Sequence, residues 1–83
     1  MRQSTSKYRN YLYDVGDLLK TRALEAREER SRTLFDSPEY HLESGRLIAF
    51  YEVISLLQQE AEGFGIALRE LRLDDIDPDR DLT

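Results

Sequence analysis

Apolar residues recur at spacings of three and four over two long stretches of this chain, with one break between them. From Lys7 the positions Tyr8, Tyr11, Leu12, Val15, Leu18, Leu19, Ala23 and Ala26 fall on one side of an α-helix. Arg9, Asp14, Asp17, Lys20, Thr21, Glu25 and Glu28 fall on the other. The pattern predicts a first helix over 7–31, after a polar, frayed start at 1–6 in which Thr5 or Ser6 can cap the first turn. Gly16 sits mid-pattern at a cost of about 1 kcal/mol, which suits the close approach of another backbone.

The break is Asp36-Ser37-Pro38-Glu39. Ser37 suits a helix N-cap and Pro38 the first helical position, where its missing N–H costs nothing. Asp36 with Glu39 fits a capping box as well, and only one of Asp36 and Ser37 can be the cap. A second helix is predicted over 38–62. Tyr40, Leu47, Ile54 and Ala61 repeat every seven residues, as do Glu43, Phe50, Leu57 and Phe64. A further row, Leu42, Ala49 and Leu56, repeats at the same interval beside Val53. This helix is apolar over about half its circumference, wider than the ~100° stripe that one neighbour covers. Gly45 and Ala49, four apart, permit a close crossing. Gly63-Phe64-Gly65 ends the helix, since glycine readily takes the left-handed cap conformation. A short third element follows over 66–73. Residues 74–83 form an acidic tail that Ile76 and Leu82 can pin to the body.

These elements place Tyr11, Leu12, Val15, Leu19, Leu47, Phe50, Ile54, Leu57 and Phe64 in the core of an antiparallel hairpin of two helices, each roughly 36 Å long. For so short a chain, one seam barely offsets the entropy of folding. The second row of helix 2 also needs cover. The expected fold is therefore all-α, a single helical domain over 1–83. It is a long antiparallel helical hairpin with a short C-terminal helix or turn and an acidic tail, dimerising into a four-helix bundle. Leu42, Gly45, Ala49, Val53 and Leu56 form the expected dimer or partner interface. Two other solutions are open: residues 64–73 fold back over the second row, or the hairpin completes a different protein.

Composition narrows the function. The 83 residues include 12 Lys/Arg and 17 Asp/Glu, for a net charge of −5. Residues 1–32 carry an excess of base and 33–83 an excess of acid. A net acidic chain is repelled by nucleic acid and by anionic membranes unless it bears a local basic patch. There is no cysteine, so disulfides, Cys-based zinc sites and thiol catalysis are out. No apolar run approaches the ~20 residues of a membrane span, and the chain starts without an apolar leader. A cytoplasmic protein is the default expectation.

Chemistry-bearing motifs are sparse. His41 has Pro38, Ser44, Ser37 and Gly45 at helical neighbour positions, so helix 2 offers no two-residue metal chelate. Asp75, Asp77, Asp79 and Asp81 alternate as in a calcium loop, but Arg80 stands where that loop needs glycine. Lys7, Arg9, Tyr8 and Tyr11 interleave base and aromatic as single-strand binders do, although both tyrosines are needed for the apolar face. Gln58 and Gln59 sit beside the seam and adjust packing.

Gly45-Arg46-Leu47-Ile48-Ala49-Phe50-Tyr51-Glu52, with Phe64-Gly65-Ile66, resembles small bacterial helical-hairpin proteins. The resemblance implies no catalytic residue. We expect no cofactor, no metal and no enzymatic activity. The expected role is protein–protein interaction, as a regulatory, inhibitor or accessory subunit. Its partners are a second copy of itself and a basic protein meeting the acidic half, 36–81. A nucleic-acid accessory role through Arg2, Lys7 and Arg9 comes second. An enzyme with a site at the dimer seam, around Tyr40, His41 and Glu43, comes third.

Overall fold

The computed structural model describes the backbone of residues 2–83 and the side chains from Ser6 onward. It is all-helical, with two long helices packed against each other as a hairpin. Helix α1 runs Arg2–Ser31 and α2 runs Pro38–Gly63. The helix thus begins five residues before the expected start at Lys7. Met1, and any cap by the Thr5 side chain, lie outside the described residues. Ser6 sits inside the helix, where a hydroxyl has no capping role.

Local chemistry sets the ends of α2. Ser37 is the N-cap, and its side chain accepts a hydrogen bond from the Tyr40 N–H at 3.1 Å. Asp36 takes a left-handed conformation instead, φ 67°, and its Oδ1 lies 2.7 Å from His41 Nε2. At the other end the Ile66 N–H donates to Ala61 O at 2.8 Å and the Gly65 N–H to Glu62 O at 3.1 Å. This pair of bonds is a Schellman cap, and Gly65 supplies its left-handed residue at φ 69°.

Past that cap the chain turns back along the hairpin. A 3₁₀ turn spans Leu68–Leu71, Arg72 adopts φ 59°, and a single helical turn, α3, spans Pro78–Asp81. The expected short element over 66–73 is thus a 3₁₀ turn. The acidic tail is ordered and docked: Leu71, Leu73, Ile76, Pro78 and Leu82 are all buried. Composition hides this because the buried residues alternate with aspartates that face outward.

The core forms where three elements meet. From α1 it takes Ala23 and Ala26, from α2 Leu47, Ile54 and Ala61, and from the C-terminal segment Leu71, Leu73, Ile76 and Leu82. Fully burying one leucine or isoleucine contributes about 1.5–3 kcal/mol, so the segment after Gly65 supplies a large share of what holds the chain together. The packed side of α1 is made of the small residues Gly16, Ala23 and Ala26 together with the buried Lys20. At Gly16 the approach is so close that a Cβ would lie 1.7 Å from the Leu71 carbonyl oxygen.

That packing corrects part of the expected core. Leu47 and Ile54 are buried, and Val15, Leu19, Phe50 and Leu57 are half-buried. Tyr11 is 64% exposed, Leu12 38% and Phe64 77%. Tyr11 leaves the core because α1 turns its Gly16–Ala23–Ala26 side inward; Leu12 lies on that side, one turn before its first buried residue, Gly16. Phe64 leaves it because it falls on the helix cap, where the chain changes direction.

Candidate interaction faces

The C-terminal segment covers one side of the hairpin and leaves the other open. On α1 it meets Tyr13, Gly16, Asp17, Lys20 and Arg27. On α2 it meets Tyr51 and Gln58. Two residues along an α-helix is a little over half a turn. Tyr11 and Leu18, each two before a covered residue of α1, therefore point to the far side. So do Ala49 and Leu56, each two before Tyr51 or Gln58. Exposures agree: Leu18 is 56%, Leu42 65%, Val53 43% and Leu56 58% exposed, and Ala49 and Gly45 are open to solvent. The expected interface residues Leu42, Gly45, Ala49, Val53 and Leu56 thus share one uncovered face of α2, continued on α1 by Tyr11 and Leu18. The terminus folds back, but over the opposite side.

On the covered side the polar groups of the tail are matched one by one. The buried Lys20 ammonium donates to Asp75 Oδ1 at 2.7 Å, and this bond holds Asp75 below the usual carboxylate range. Arg27 donates to the Asp81 main-chain oxygen at 3.1 Å and Arg30 to that of Thr83 at 2.9 Å. Arg72 lies 3.4 Å from Asp17 Oδ1 and over the Tyr13 ring. Gln58 Nε2 donates to two carbonyls, Leu73 O at 3.1 Å and Ile76 O at 2.9 Å. Tyr51 donates its phenolic proton to Asp79, which pushes its pKa up. Arg80 grips Asp81, whose pKa is lowered to about 2.

Sequence reasoning missed three of these residues. Lys20 reads as solvated by charge alone, yet it lies four residues after Gly16 and three before Ala23, on the packed side. That spacing was the available signal. Gln58 reads as a packing spacer, but two unpaired carbonyls in the returning chain make it a clamp. Tyr51 gave no signal, since its partner lies in a tail whose path depends on the fold.

Two grooves line the seam between α2 and the returning chain. One, of about 660 Å³, is bounded by Tyr51, Gln58, Gln59, Glu62, Leu68 and Asp77. The other, of about 430 Å³, has apolar walls of Leu47, Ile48, Tyr51 and Leu82, with Arg30 and Ser44 beside them. Ser44 Oγ is buried there without a hydrogen-bond partner. Tyr40, His41 and Glu43 border neither groove. They sit at the hairpin tip, where Tyr40 meets Phe35 and His41 edge-on and Glu43 pairs with Arg46 at 2.7 Å. Among the described residues, no three of His, Asp and Glu gather as a metal ion requires. No described helix is long and apolar enough to cross a membrane. Lys7 and Arg9 are exposed near the start of α1, with Arg9 3.9 Å from Glu70; the Arg2 side chain lies outside the described residues. No family model, curated protein or solved structure matches the chain.

Proposed function

We propose that this chain is a cytoplasmic, non-catalytic protein-interaction module that self-associates through the open side of its hairpin, two copies packing into a four-helix bundle. The observation that carries the reading is the row Leu42, Ala49, Val53 and Leu56, exposed on the side of α2 that the C-terminal segment leaves bare. A solvent-facing apolar row of this length marks an interaction site. Pairing with a second copy satisfies it by the simplest symmetry. A basic partner protein would bind the assembled module through Glu52 and Glu62, which lie off that row. These exposed acids of α2 have no ion-pair partner among the described residues.

Light scattering at micromolar concentration tests the assembly. The expected mass is twice the 9.8 kDa of one chain, and a mass of one chain overturns the reading. Leu56→Glu is expected to give the single-chain mass with helicity retained, because the docked C-terminal segment still covers the other side of the hairpin.

A further inference from the structure

The uncovered row of α2 is symmetric about one small residue. Gly45 and Val53 lie four positions to either side of Ala49, and Leu42 and Leu56 lie seven. Steps of four and seven stay on one helix face, and all five residues are open to solvent. We propose that the second copy packs antiparallel, with the two-fold axis passing through Ala49. This rests on the self-association reading above and adds its register and direction.

The sizes of the side chains carry the inference. A two-fold at Ala49 brings position 42 of one copy against 56 of the other, 45 against 53, and 49 against itself. Each leucine then meets a leucine. The Val53 side chain enters the hollow at Gly45, where a Cβ would meet nothing within 4 Å. The two alanines let the helices cross closely. A parallel arrangement of the same row sets Gly45 against Gly45 and Val53 against Val53, a void beside a crowded contact. Arg46, beside the row, is already matched by Glu43 at 2.7 Å on its own helix, so the antiparallel pair buries no unmatched cation. The molecule measures 52 × 21 × 16 Å. Its long sides are therefore of the order of the ~800 Å² each partner gives to a standard interface.

The chain has no cysteine, so single introduced thiols report register without interference. Ala49→Cys, Leu42→Cys and Leu56→Cys are made in the full chain, checked for helicity and oxidised mildly. Cα atoms at about 4.4–6.8 Å can be bridged by a disulfide. Most of the A49C protein is expected to run at twice the monomer mass. L42C and L56C are expected to stay unlinked alone and to link when mixed. Self-linking of L42C and of L56C, each alone and alongside A49C, marks a parallel pair and overturns the antiparallel order while leaving self-association standing. A single-chain mass for the unaltered protein overturns both. A second pair of variants needs no oxidation. Gly45→Val is expected to shift the protein toward monomer by filling the hollow. Adding Val53→Ala in the same chain is expected to restore the dimer, and a double variant as monomeric as the single one overturns the register.

Discussion

Replacing Gly16 by alanine is a sharp test of how the hairpin and its returning segment fit. In an ordinary helix this change stabilises, by about 1 kcal/mol, through helix propensity. Here the added Cβ would stand 1.7 Å from the oxygen and 2.8 Å from the carbon of the Leu71 carbonyl. Both are backbone atoms, so no side-chain rotation relieves the overlap. Either α1 bends or the 3₁₀ turn Leu68–Leu71 lifts by more than an ångström. Lifting loosens the Leu71 side chain, and with it Leu73, both now buried. Losing the burial of one such leucine costs about 1.5–3 kcal/mol, which exceeds the propensity gain. Gly16→Ala is expected to destabilise the chain by about 0.5–2 kcal/mol if one contact is lost, and more if the segment detaches. Urea unfolding followed by far-UV circular dichroism gives the free energy. Hydrogen exchange at the Leu73 amide, which donates to Leu68 O at 3.0 Å, reports the segment itself and should speed up. Gly63→Ala, with nothing within 4 Å of the new Cβ, serves as the control and should not destabilise. A Gly16→Ala protein more stable than the parent, with Leu73 exchange unchanged, would refute the close approach.

The other predictions probe the clamp around the returning chain. Gln58→Ala leaves two carbonyls, Leu73 O and Ile76 O, without their donor; at about 1–3 kcal/mol for an unsatisfied buried group, a loss of roughly 2 kcal/mol is expected in the same urea assay. Acid should undock the segment through Asp75, bonded to Lys20 of α1, and loosen α3 through Asp81, bonded to Arg80 and the Asp77 N–H; both titrate lower in the fold than the about 3.9 of an unfolded aspartate. Their contribution is full above about pH 4 to 5 and is lost as pH falls toward 2. Alkali acts through Tyr51, whose pKa is raised by Asp79: its contribution is full below about pH 10 and is lost as pH rises through the higher folded value. Amide exchange at Leu73 across pH, corrected for the intrinsic rate, should show a plateau with losses on both flanks; a flat response at both ends would count against the aspartate contacts.

Some of this architecture is legible in the sequence because it is local. Ser37-Pro38 announces the start of α2, since a hydroxyl just ahead of a first-position proline can accept from the orphan Tyr40 N–H. Gly65 ends α2 because the left-handed cap strains any residue with a Cβ. The breadth of the apolar surface on α2 shows that one neighbour is too few, and Gly16 marks a close approach. Tertiary structure alone decided which partner each surface meets. Spacing puts Tyr11 on the apolar side of α1 and Lys20 on the polar side, yet the fold buries Lys20 and leaves Tyr11 exposed. That reversal came from the small Gly16–Ala23–Ala26 side, which lets the backbones close to contact. Likewise 74–83 reads as a solvated tail until Lys20, Arg27, Tyr51 and Gln58, distant in sequence, meet its carboxylates and main-chain carbonyls in space. A pattern of charges cannot show that meeting, because the free energy lies in pairs that only the folded chain brings together.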